Sequence, residues 1–83
     1  MAYYVYQILE STTGLPIYIG CSMYPKQRFR QHHTDPGSAI YWHLNEPEME
    51  FRLEILDCLS VKSEALALEA HLISITPGAL NRC

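Results

Sequence analysis

The chain predicts an α/β domain, a small three-stranded antiparallel sheet flanked by helices in the order β-β-α-α-β-α. Three observations carry that expectation. Two aromatic and β-branched runs, residues 3–9 and 17–20, are separated by the turn-forming Ser11-Thr12-Thr13-Gly14, which reads as a β-hairpin. Phe51, Leu53 and Ile55 alternate with Glu50, Arg52 and Glu54, the pattern of a strand with one solvated face. Between and after these runs lie helical segments opened by Pro25, Ser38 and Ser60.

Taken in order, the first strand places Tyr4, Tyr6 and Ile8 on one face and Tyr3, Val5, Gln7 and Leu9 on the other, because side chains alternate along a strand. In the second, Tyr18 and Gly20 face opposite to Ile17 and Ile19. Pro25 suits the first turn of a helix, where its missing N–H costs nothing, and that helix runs to about His33 before Thr34-Asp35-Pro36-Gly37 breaks it. Ser38 is placed to cap a short helix through Asn45, which Glu46-Pro47 ends. The third strand covers 50–58. Ser60 is then the expected N-cap of a longer helix to about Ile75, with Ala65, Leu68, Leu72 and Ile75 as its apolar stripe and Thr76-Pro77-Gly78 as its stop.

Eighty-three residues with 48% hydrophobic and 18% charged side chains are expected to make one soluble domain, 1–83, with no room for a second module and no apolar run of membrane-spanning length. No secretory leader is recognisable at the N-terminus, so a cytoplasmic, reducing setting is expected. Cys21, Cys58 and Cys83 are odd in number and lack CxxC spacing, which argues against both a disulfide framework and a cysteine-rich zinc site. The net charge of −3 is unusual for a freestanding nucleic-acid binder. Its distribution is more telling, because half of the six Lys and Arg residues, Lys26, Arg28 and Arg30, fall within residues 26–30, beside His32 and His33.

Arg28 and His32 are one helical turn apart and share a face. Such a pair is either a solvated face beside Phe29 or a phosphate clamp, the guanidinium fork giving bidentate contact and the histidine a proton donor. Glu69 lies at the edge of the last helix's apolar stripe, and a carboxylate taken out of water needs a cation or hydrogen bonds. It reads either as a boundary residue paired with an arginine or as a metal ligand or general base. Six tyrosines by themselves report β-propensity, and His32, His33, His43 and His71 lack the spacing of a zinc set.

In order, Tyr4-Val5-Tyr6, Tyr18-Ile19-Gly20, Arg28-Phe29-Arg30-Gln31-His32, Glu69 and Asn81 resemble the elements of the GIY-YIG nuclease domain over nearly the whole chain. Tyr4 stands at the first glycine of the pattern, and Gly14-Leu15-Pro16 where many relatives have Gly-Lys. The resemblance implies a divalent-metal-dependent DNA endonuclease. Glu69 would hold Mg2+, with Mn2+ as a substitute, Arg28 would bind the phosphate, and Tyr6 would activate water with Tyr18 and His32 in support. Lys26, Arg30, His33 and Asn81 are expected to contact substrate or support the site. DNA is the implied partner, with a targeting protein or a homodimer supplying specificity. The competing expectation is a catalytically weak nucleic-acid-binding or regulatory module, or a small subunit that needs a partner.

Overall fold

The computed structural model describes residues 2–37, 40–45 and 49–76, apart from the side chains of residues 42 and 43. Its elements are β1 (Tyr3–Glu10), β2 (Pro16–Ser22), α1 (Pro25–Thr34), α2 (Tyr41–Leu44), β3 (Phe51–Leu59) and α3 (Lys62–Ile75), in the expected order. The sheet is antiparallel throughout with strand order β2-β1-β3. The expected cap Ser38 and stop Pro77-Gly78, like Asn81, lie outside the described residues. Among the described residues no helix is long and apolar enough to cross a membrane.

β1 is central because it is apolar on both faces, and the two helical layers divide those faces between them. Tyr6 and Ile8 pack with Ile40 and Leu44, supported by Tyr18, Phe29, Phe51 and Leu53, under α1 and α2. Val5 and Ile19 pack with Ala65, supported by Tyr3, Leu59, Leu68, Leu72 and Ile73, under α3. Gly14 closes the β1–β2 hairpin at φ 71°, a left-handed conformation that suits glycine. Its N–H donates to the Glu10 carbonyl at 2.8 Å.

Strict alternation fails at two bulges. Ile8 pairs with Tyr18 but Leu9 with Pro16, so Ile17 is an extra residue and turns, with Tyr18, toward the Tyr6 cluster instead of opposing it. Val5 pairs with Asp57 but Tyr6 with Ile55, so Leu56 is extra. The second bulge puts Cys58 opposite Tyr4 while Leu59 joins the α3 side.

Three helix expectations are corrected. Val61, not Ser60, occupies the N-cap position of α3, with no side-chain cap bond. The stripe of α3 contains Ile73 in place of Ile75, which is 58% exposed. Glu69 therefore stands inside the stripe, between Ala65 and Ile73, each one turn away. α2 is also shorter than expected. It is held to α1 by Asn45, whose Nδ2 donates to the carbonyls of His33 at 3.1 Å and Tyr41 at 2.9 Å.

Candidate active site

The site is built on the register of the hairpin. Tyr6 of β1 pairs with Gly20 of β2, and its ring crosses the glycine so closely that a Cβ there would lie 2.5 Å from both Tyr6 Cζ and Oη. Tyr18, two residues earlier on β2, shares that face, its ring centroid 6.4 Å from that of Tyr6. α1 lies over the pair. His32 descends from it as the buried polar residue among those described, with its ring edge-on to Tyr18 at 4.7 Å and Nε2 3.5 Å from Tyr6 Oη.

One turn earlier on α1, Arg28 is exposed, and its guanidinium donates to Gln31 Oε1 at 3.3 Å. It lines a cleft of about 190 Å³ with Ser22, Tyr24, Gln27 and Gln31. Its charge acts on both phenols and on His32. Glu69 approaches from the other layer, since α3 packs on β2 and β1, and its charge acts on Tyr6, Tyr18 and Cys21. Tyr6, Tyr18 and His32 thus meet directly between the sheet and α1, Arg28 stands one turn from His32, and Glu69 reaches the phenols from α3 through its charge.

Burial sets the protonation of this cluster. It pushes the Tyr6 phenol well above its ordinary range, with Tyr18 and Glu69 adding to the rise and Arg28 opposing it. Tyr18 is raised in the same way, by burial first, with Arg28 lowering and Glu69 raising. Arg28 favours phenolate at both tyrosines, but burial is the larger effect. His32 is held below its ordinary value by burial, then by Arg28 and His33, with Asp35 acting the other way. It is therefore a neutral imidazole at neutral pH. With Arg28 replaced by alanine, the His32 titration followed by NMR is expected to move upward; an unmoved or lowered midpoint would remove Arg28 from its neighbourhood.

The Glu69 carboxyl is raised by burial alone. Among the described residues no cation or hydrogen bond offsets that burial, so the arginine-paired boundary reading finds no partner there. No group of three His, Cys, Asp or Glu that could hold a metal occurs among the described residues either. A lone carboxylate beside water fits Mg2+, which keeps several waters and takes one or two carboxylates plus phosphate oxygens; it does not fit zinc.

The other basic residues turn away. Lys26 and Arg30 lie on the flank of α1 that faces Ile55, not on the Arg28 side. His33 donates from Nδ1 to the Phe29 carbonyl at 3.0 Å and stacks edge-on to the Phe29 ring at 4.8 Å. Gly20 is the participant that a list of reactive side chains leaves out. A glycine inside a strand pattern is the available signal, since it marks a close approach.

A family model described as the GIY-YIG catalytic domain matches residues 2–77 of the chain. No curated protein and no solved structure matches it.

Proposed function

Because this chain belongs to the GIY-YIG catalytic-domain family, we propose that it is a divalent-metal-dependent DNA endonuclease whose own residues handle the phosphate and the protons of phosphodiester hydrolysis. The family is one of nucleases, generally dependent on a divalent metal. The observation that supports the reading is the contact of Tyr6, Tyr18 and His32 one turn from Arg28, with an uncompensated Glu69 carboxyl on α3 whose charge acts on both phenols.

In this proposal a water attacks phosphorus and the bond to the leaving sugar oxygen breaks. Arg28, at the solvent-facing mouth, holds the non-bridging oxygens with donors that match the charge growing there. Tyr6 orients the water. Its raised pKa makes the phenol a poor base by itself, but neutral His32 presents Nε2 to its hydroxyl, so Tyr6 can accept the water's proton while passing its own to His32. That direction fixes the His32 tautomer with its proton on Nδ1. A 3.5 Å separation is in the range that tightens when substrate binds. Tyr18 braces the His32 ring. Glu69 would hold Mg2+, or Mn2+ in its place, which when bound supplies charge stabilisation at the leaving oxygen.

Arg28→Ala is expected to lower single-turnover cleavage by about 10²–10³. Arg28→Lys should recover only part of this, since a point charge cannot match the fork. Thermal stability should be unchanged in both, because the side chain is exposed. Cleavage by Arg28→Ala at the wild-type rate contradicts the assignment. The raised Tyr6 phenol favours a second reading, a module that binds nucleic acid without cutting it. That reading predicts binding with no cleavage by folded wild type in any metal.

A further inference from the structure

Among the described residues, a groove larger than the Arg28 cleft lies elsewhere. It lies on the opposite flank of α1, about 590 Å³ in volume, walled by Tyr4, Tyr24 and Ile55 with Lys26 and Arg30 along its rim. We propose that this groove is a track for a single-stranded segment of nucleic acid adjoining the scissile phosphate, which makes the substrate class one with an unpaired strand beside the cut. The proposal rests on the nuclease reading for the position of that phosphate.

Four features of the groove point the same way. Tyr24 is 64% exposed and Ile55 45%, so large apolar surfaces face solvent where a base could cover them. Lys26 and Arg30 stand at i and i+4 on one helix face, and among the described residues neither is drawn into an ion pair. No acid joins them in the lining. The bulge at Leu56 leaves Glu54 and Asp57 of β3 paired with Gln7 and Val5, on the α3 face of the sheet, where Glu54 accepts a bond from Gln7 at 2.7 Å.

The remaining feature is continuity. Tyr24 and Gln27 line both this groove and the Arg28 cleft. A strand held by Arg28 can therefore pass over the first turn of α1 and meet Tyr24 and then Lys26 and Arg30 without leaving the surface. Cations along a backbone with aromatic rings for the bases are the pattern of single-strand recognition. A duplex keeps its base faces stacked inside and offers Tyr24 nothing to cover. An acidic peptide would also match the charge, but it would have no reason to continue into the phosphate cleft.

The test is fluorescence anisotropy of the full chain in EDTA at low salt, with a labelled single-stranded oligothymidylate and a labelled blunt duplex. Tyr24→Ala is expected to weaken single-strand binding by about tenfold, the worth of one stacked base, and to leave duplex binding unchanged. Tyr24→Phe keeps the ring and should bind like wild type. The Lys26→Gln, Arg30→Gln double variant should flatten the log–log salt dependence for single strand by about 1.4, two phosphate contacts at roughly 0.7 each. Equal losses on both oligonucleotides, or no loss on either, overturns the track. Since no cleavage is read in EDTA, Tyr24-dependent binding by a protein that never cuts would sink the nuclease reading alone. A cleaving enzyme indifferent to Tyr24 would sink the track alone.

Discussion

Replacing Glu69 by glutamine is expected to abolish cleavage and, near neutral pH, to raise the melting temperature. The two effects have one origin. Burial raises the Glu69 carboxyl above the ordinary value of 4.5, so the folded chain holds this proton more tightly than the unfolded chain does. Unfolding stability then falls as pH climbs from the unfolded pKa through the folded one, and above both the ionised carboxylate is a complete penalty on the fold. Glutamine has the same shape and no charge, and removes that penalty. It also removes a negative charge that raises Tyr6 and Tyr18, so ultraviolet titration should show both phenols ionising at lower pH. DNA binding should survive or tighten. Such exchange of stability for activity is the usual condition of a residue kept for chemistry. A fall in melting temperature would instead mark Glu69 as a structural acid with a partner.

Gly20→Ala is expected to cost about 1–3 kcal/mol of stability and most of the activity. The backbone has no objection, since Gly20 does not adopt a positive φ, and alanine in a strand interior ordinarily gains about 0.5–1 kcal/mol over glycine. The objection is the Tyr6 ring, whose Cζ and Oη lie 2.5 Å from the new methyl. Tyr6 is 1% exposed and packed against Ile8, Ile40 and Leu44, so it cannot yield freely. A shift of the ring alters the 3.5 Å approach of its hydroxyl to His32. In a Tyr6→Leu background the penalty of Gly20→Ala, measured by denaturant unfolding, should shrink markedly. Strictly additive costs would show that the ring is not what excludes the methyl.

The order and type of every element were readable from the apolar runs, the turn residues between them and the residues that open and stop the helices. The bulges were not. An extra residue at Ile17 or Leu56 leaves no local mark in an apolar run, yet each changes which side chains face which layer. Taking Ile75 as part of the α3 stripe made Glu69 an edge residue. The register of the helix on Ala65 instead places it inside, where its burial is informative. Ser60 has the right chemistry for a cap but stands one position early. The basic cluster of residues 26–30 does not form a single wall. At about 100° per residue on a helix, Lys26 and Arg30 turn nearly opposite to Arg28, and only the strands under α1 decide what each flank meets. Tyr6 and Gly20 share a register that no linear motif displays.

The account's central claim is tested most directly by nicking of supercoiled plasmid and of branched oligonucleotides at low salt in Mg2+, Mn2+ or EDTA, with wild type beside Glu69→Gln. Cleavage by wild type in either metal, none in EDTA, and none by a variant that melts at the same or higher temperature is the predicted result. A folded wild type that cuts no substrate in either metal, or a Glu69→Gln variant that cuts as well as wild type, would contradict it.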